Sequence, residues 1–262
     1  MLLTIDCGNT NTVLSIWDGK EFICTMRTST HHARTADAYF TWFTTLLNHY
    51  QINPVITEII ISSTVPRVVF NLRVFADRFF GCIPLVVGKS DCKLPQEPRV
   101  DTGTIVGPDR LVNAAGAYDR YSGDLIVVDF GTATTFDVVA FDGAYVGGLI
   151  APGVNLSLEV LHMSAAALPH VDISRPQQVV GTNTVACMQS GVFWGYVGVV
   201  KECCARIQFE RDTKMKVIGT GGLASLFAHT EKLFDIVDDN LTMHGLVTIN
   251  NFNRRGCSDH GE

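Results

Sequence analysis

One pattern, written twice along the chain, constrains the fold more than any other feature. Met1 to Ile5 reads as a short buried strand, Val13 to Trp17 as a second and Glu21 to Arg27 as a third. Asp18-Gly19 supplies the hairpin turn between the last two. Farther on, Leu125 to Val128, Thr135 to Ala140 and Tyr145 to Ile150 repeat the succession, with Asp142-Gly143 as the turn. In each copy the first strand runs into an aspartate turn, Asp6-Cys7-Gly8-Asn9-Thr10 and then Asp129-Phe130-Gly131-Thr132-Ala133. The leading aspartates are 123 residues apart. A single Asp-x-Gly turn is common by chance. Two, each flanked by the same strands and hairpin, point to duplicated α/β halves. The expected division is 1–118 and 119–262.

The remaining segments fit such halves. Ala36 to Asn48 has helical spacing, with Tyr39, Phe40, Phe43, Leu46 and Leu47 on one side. Glu58 to Ser62 and Leu85 to Val87 read as strands. Pro66 to Phe79 reads as a helix whose proline sits in the first turn. Leu111 to Tyr118, Asn155 to Ala167 and Thr184 to Gln208 read as helices. Met215 to Ile218 reads as a strand entering Gly219-Thr220-Gly221-Gly222, and Leu223 to Ala228 opens another helix. The tail from Arg254 to Glu262 is polar and expected to fray. Gly191, Gly195 and Gly198 weaken their helix by about 1 kcal/mol each relative to alanine, so a packing reason is expected. A subunit contact and a neighbour within the same chain both satisfy it.

Composition removes several classes of function. The chain is 47% apolar and 18% charged, which suits a packed core and not a disordered tail. A net charge of −6, with no basic cluster beyond Arg254-Arg255, argues against binding nucleic acid by bulk charge. Without a run of 18 apolar residues or a basic leader, neither a membrane span nor a secretory signal is expected, and the protein reads as cytoplasmic. The eight cysteines lack zinc spacing, so reduced thiols are expected, and Cys7 has no accompanying pattern that would make it a nucleophile.

Several motifs fail on inspection. Gly88-Lys89-Ser90 resembles the end of a P-loop, but Ile83 stands where the first glycine is needed. Asp129-Phe130-Gly131 lacks the other protein-kinase segments. No G-x-G-x-x-G, H-E-x-x-H or G-x-S-x-G is present. What remains is a set of glycine-rich turns placed after strands. Successive N–H groups in such turns make a concavity for phosphate oxygens, with Asn9, Thr10, Asn11 and Thr12 adding polar groups. Asp6, at the strand end, would bind a cation bridging those oxygens. The second turn repeats the chemistry with Thr132, Thr134 and Thr135, and the two are expected to face each other across a cleft. In Gly107-Pro108-Asp109-Arg110, Asp109 is either a helix N-cap or a general base beside a cationic anchor, and spacing alone does not choose.

Taken together, Asp6 to Thr12, Gly107 to Arg110, Asp129 to Thr135, Gly147-Gly148, Ala151-Pro152-Gly153, Gly181 to Thr184 and Thr220-Gly221-Gly222, in this order, resemble the type III pantothenate kinases. That resemblance implies the actin/hexokinase/Hsp70-like fold, with duplicated ribonuclease-H-like halves, each a mixed five-stranded sheet with flanking helices. It implies phosphorylation of pantothenate by ATP, the first step toward coenzyme A, in a homodimer that uses Mg²⁺ and a monovalent cation, K⁺ or NH₄⁺. By the same resemblance Asp6, Cys7, Gly8, Asn9, Thr10, Asn11, Thr12, Val13 and Thr132 bind ATP. Gly107, Pro108, Asp109, Arg110 and Thr184 bind pantothenate, with Asp109 taking the proton. Asp129 holds the monovalent cation. Alternatives are another small-molecule kinase of this fold, or a non-catalytic nucleotide-binding accessory factor for transcription. The chain departs from the family pattern at Pro108, often alanine, and at Arg99-Val100-Asp101, where a tyrosine often borders the substrate. Few Lys or Arg lie within the motifs, so a bound polyanion beside Asp6, Asp109 and Asp129 would need metal ions to offset like-charge repulsion.

Overall fold

The duplicated pattern folds, in a computed structural model describing residues 1–165, 168–228, 230 and 233–258, into two five-stranded sheets of matching topology. The first comprises β1 (Leu2–Cys7), β2 (Asn11–Trp17) and β3 (Phe22–Ser29). After α1 (Ala36–His49) come β4 (Glu58–Ser63), α2 (Pro66–Phe80) and β5 (Leu85–Val86). Helix α3 (Pro108–Tyr121) leads to β6 (Leu125–Phe130), β7 (Ala133–Val139) and β8 (Tyr145–Pro152). Then follow α4 (Val154–Ser164), α5 (Thr184–Glu210), β9 (Lys216–Gly221), α6 (Ala224–Phe227), β10 (Ile236–Val237) and α7 (Leu241–Ser258). The sheet orders are β3-β2-β1-β4-β5 and β8-β7-β6-β9-β10. In both, the first three strands form an antiparallel meander and the last two add in parallel. The duplication extends to register. Asp6 lies opposite Val13 and Ser62, and Asp129 lies opposite Thr135 and Thr220. Two α/β halves of this kind are the fold class expected from the sequence.

Strand alternation assigns the two faces of the first sheet. Leu3, Ile5 and Cys7 pack with Tyr39 and Phe43 of α1 and with Leu72 and Phe75 of α2. Leu2 and Ile60, on the opposite face, pack with Val112 and Ala115 of α3 and with Met243, Leu246 and Val247 of α7. A central strand covered on both faces is apolar on both, as Leu2, Leu3 and Ile5 are, and the buried Thr4 among them donates its hydroxyl to the Ser15 carbonyl at 3.1 Å. Helix α1 starts at Thr35, whose hydroxyl accepts from Ala38 N–H, and α2 opens on Pro66 and stops at Gly81 in the left-handed conformation.

The compact units do not follow one cut of the chain. The first combines Met1–Glu97, Asp101–Asp119 and the chain from Thr242 onward, and the second combines Pro98–Val100 with Arg120–Leu241. The boundary expected after residue 118 therefore misassigns the last helix. Helix α7 went unread in the sequence, and residues 254–258, expected to fray, continue it. Its apolar positions complete the core on the Leu2–Ile60 face. Gly245 lets it touch α3 backbone to backbone, since a Cβ there would strike the Val112 carbonyl.

Two other helices also differ from expectation. Helix α4 ends at Ser164, with Ala165 already extended, and the expected extension through Ala166 and Ala167 lies outside the described residues. Among the described residues, a Cβ at Gly191, Gly195 or Gly198 of α5 would meet nothing within 4 Å. Packing against a neighbour within the chain therefore does not account for the three glycines. No helix among the described residues is long and apolar enough to cross a membrane.

Candidate active site

In the first unit, the turn after β1 is held from below by a chain of hydroxyls. The Thr30 hydroxyl lies 2.7 Å from the Gly8 carbonyl, to which it donates its one proton, and 2.9 Å from the Thr12 hydroxyl. Thr12 must therefore donate to Thr30, and the Cys7 thiol, 3.3 Å away, is left to donate to Thr12. Thr30 N–H also donates to the Thr10 carbonyl at 2.9 Å, and Gly8 N–H closes the turn on the Asn11 carbonyl at 2.9 Å. Two carbonyls of the turn are thus tied to the end of β3, while Asn9 and Thr10 stand exposed at the tip.

This divides the run from Asp6 to Val13. Cys7 and Thr12 are buried and brace the turn, so the Thr12 hydroxyl, expected among the polar groups offered to a ligand, is spent internally. Burial pushes the Cys7 thiol above its ordinary value, the opposite of what a nucleophile needs. Asp6 and Val13 are half-buried on the other face, beside Ser62. The Ser62 hydroxyl is fully buried and lacks a partner among the described residues.

Asp109 lies on that same side of the sheet, because α3 covers the face carrying Leu2 and Ile60. The helix begins at Pro108, three residues earlier than expected, and Pro108 suits the first helical position because no N–H is needed there. The Gly107 carbonyl accepts from Arg110 and Leu111 N–H at 3.1 and 3.2 Å, so Gly107 holds the capping position and Asp109 is the second helical residue. That geometry removes the N-cap reading of Asp109. A Cβ on Gly107 would run into the Asp109 carboxylate, so glycine here makes room for the acid to fold over the helix start. Burial pushes the Asp109 carboxyl above its ordinary value. The N–H groups of the first turn and the Arg110 charge pull it back without cancelling the rise.

In the second unit, Phe130 anchors the equivalent turn. Its ring stacks on Phe227 at 5.0 Å, and Phe227 stacks on Phe193 at 5.0 Å, so alternation sends Asp129 to the opposite face. Thr134 occupies the register position of Thr12, but its buried hydroxyl has no partner among the described residues. Where the first unit has Thr30, one residue past the last pair of β2 and β3, the second has Gly153, one residue past the last pair of β7 and β8. A Cβ on Gly153 would strike the Thr132 carbonyl, so bare backbone does here what the threonine clamp does in the first unit. Gly221, at φ +88°, likewise leaves no room for a Cβ beside the Asp129 carboxylate and the Phe130 backbone. Thr132 is exposed at the tip, whereas Thr135 donates to Asp137 at 3.3 Å.

Thr184 is the exposed first residue of α5, whose cap is the Asn183 side chain accepting from Ala186 N–H at 2.9 Å. Arg99, in the region where the family often carries a tyrosine, is held by Asp142 through two contacts of 2.8 Å. Thr30 and the α7 contact through Gly245 were missed in the sequence, where Gly153 stands within a motif but without a role. The places of Thr30 and Gly153 follow only once the strand registers are known.

Among the described residues, no three His, Cys, Asp or Glu side chains gather as a metal cage. The donor chemistry suits cations that keep water and share phosphate oxygens. Mg²⁺ typically takes one or two carboxylates, completing its shell with waters and phosphates. Asp6, with the partnerless Ser62 hydroxyl beside it, fits such an ion.

The family model described as type III pantothenate kinase matches residues 2–206. A relative from Ruegeria pomeroyi bearing that name is 77% identical over 254 residues, covering 97% of this chain and 98% of its own. Two solved structures share the fold. A Campylobacter jejuni protein described as a Baf family transcriptional activator has TM-score 0.58 at 18% identity, over 97% of this chain and 99% of its own. The activator of 2-hydroxyisocaproyl-CoA dehydratase from Clostridium difficile, with bound ADPNP, has TM-score 0.56 at 11% identity, over 100% and 98%. By both the family match and the full-length relative, the chain belongs to the type III pantothenate kinase family.

Proposed function

We propose that the chain phosphorylates pantothenate with ATP, yielding 4′-phosphopantothenate and ADP in the first step toward coenzyme A. The observation that carries the mechanism is Asp109, a half-buried carboxylate with raised proton affinity at the start of α3, on the Asp6 side of the first sheet. The primary alcohol of pantothenate gives its proton to Asp109 while its oxygen bonds to the γ-phosphorus. The bond from that phosphorus to the bridging oxygen breaks, and ADP leaves with the electron pair. The first turn, Asp6 to Val13, and Thr132 hold the phosphate chain. Gly107 to Arg110 and Thr184 orient the acceptor. Mg²⁺ at Asp6 and K⁺ or NH₄⁺ at Asp129 supply countercharge to the phosphates when bound. Such a reaction on soluble metabolites suits a cytoplasmic enzyme. A coupled assay tests the proposal. ADP release is expected with pantothenate, to rise when potassium replaces sodium, and to be absent with glucose or acetate. Release that ignores pantothenate overturns it.

The working unit in this proposal is a homodimer. The open stripe of Gly191, Gly195 and Gly198 on α5 is suited to close approach of a second copy, and α4 beside it exposes Leu156, Val160 and Met163. Sedimentation is expected to give twice the chain mass of 28.6 kDa. Gly195→Arg is expected to yield monomers that melt no lower than a wild-type chain diluted to its monomeric state, since the site is open and arginine favours helix. A persistent dimer in that variant moves the contact elsewhere.

A further inference from the structure

The strand registers place an arginine in the Asp6 row that no motif contains. Asp6 lies opposite Val13 on β2, and Val13 lies opposite Arg27 on β3. Directly opposed residues project to the same face, so Ser62, Asp6, Val13 and Arg27 form one row across β4, β1, β2 and β3. Two strand spacings put the Asp6 and Arg27 backbones about 10 Å apart. Among the described residues Arg27 makes no ion pair with Asp6 across that gap, and an anion between them would be within reach of the long arginine side chain. The row lies at the end of β1 that enters the glycine turn.

Arg27 is exposed and has no carboxylate partner among the described residues. The duplicated half serves as an internal control. Its corresponding row runs Thr220, Asp129, Thr135, Ile150, and the side chain matching Arg27 is an isoleucine 69% exposed. The strand architecture therefore does not demand a cation at this place. A charge present in only one half has a local reason, and that half carries the hydroxyl-clamped turn. A guanidinium presents a planar fork of donors that matches phosphate oxygens, and it stays ionised at all working pH values.

We propose that Arg27 binds the phosphate chain of the nucleotide, supplying positive charge beside the Asp6 to Val13 turn, which has no Lys or Arg of its own. The proposal rests on the reading that the Asp6 to Val13 turn holds that chain.

Calorimetric titration of the full chain with ADP and with ATP, in Mg²⁺ and without acceptor, tests it directly. Arg27→Gln is expected to weaken nucleotide binding about 10-fold to 100-fold, the usual loss for a hydrogen bond to a charged group. Arg27→Lys is expected to recover part of it, and added salt is expected to narrow the difference between wild type and Arg27→Gln. Thermal melting checks that each variant folds, and Arg27→Lys carries the test should Arg27→Gln fail to fold. Unchanged affinity in both variants overturns the proposal. So does a raised KM for pantothenate with unchanged nucleotide binding, which would assign Arg27 to the acceptor's carboxylate. Asp6→Asn separates the two readings. If it weakens nucleotide binding and Arg27→Gln does not, only the arginine proposal falls. If Asp6→Asn binds like wild type, the assignment of the turn falls first.

Discussion

Asp109→Asn is expected to lower kcat by about 100-fold to 10,000-fold, the usual contribution of a positioned base, while ADP affinity stays within about twofold. Asparagine keeps the size of the side chain and its place over the start of α3 but cannot accept the alcohol proton. Burial raises the carboxyl's proton affinity, so the acidic limb of kcat/KM in the wild type should lie above the ordinary carboxylate value. As pH falls through that raised value, Asp109 is protonated and the base is lost. Residual turnover in Asp109→Asn should lack this limb. The stability sign runs the other way. A carboxyl whose folded-state pKa is raised contributes stability below its unfolded value, and that contribution is lost as pH rises through the folded value. Once ionised, Asp109 is therefore a burden on the fold, and Asp109→Asn should melt no lower than wild type. Near-normal kcat in this variant would remove Asp109 from the base role. A large loss of melting temperature would make its role structural.

Gly221→Ala is expected to cost about 2–5 kcal/mol, combining a non-glycine residue in the left-handed region with an overpacked strand junction. The added methyl would have to displace the Asp129 carboxylate or part the Phe130–Gly221 pairing of β6 and β9. In the proposed assignment that carboxylate is the monovalent-cation ligand, so potassium stimulation and ATP affinity should fall together. Gly123→Ala, at a similar φ of +89° but with nothing among the described residues within 4 Å of the added methyl, is the matched control and should leave both unchanged. Melting curves and potassium titrations of the two variants make the measurement. An unshifted melt with normal potassium response in Gly221→Ala would show that Asp129 does not depend on this glycine.

The strands, the hairpin turns and the two aspartate turns were legible because each is written locally. Alternating burial, Asp-Gly turns and a proline at a helix start act over a few residues. Helix α7 was not legible in the same way. Its apolar side chains find their partners on β1, β4 and α3, far back in the chain, and its polar end resembles a loose tail. The glycines of α5 were noticed, but spacing could not say whether a neighbour lay within the chain, and in the structure their face is open.

The candidate residues divide along the same line. The amino-acid order alone determined that there are two equivalent halves, where their acidic turns lie and that Gly107 to Arg110 opens a helix, because backbone geometry and strand period are properties of neighbouring residues. Only the tertiary structure decided that Thr12 and Cys7 brace the turn, that Thr30 and Gly153 occupy matching places, and that Arg27 joins the row of Asp6. Those relations depend on register between strands. A slip of one residue in pairing sends every side chain to the other face, and that choice is made by the packed cores on both sides of the sheet.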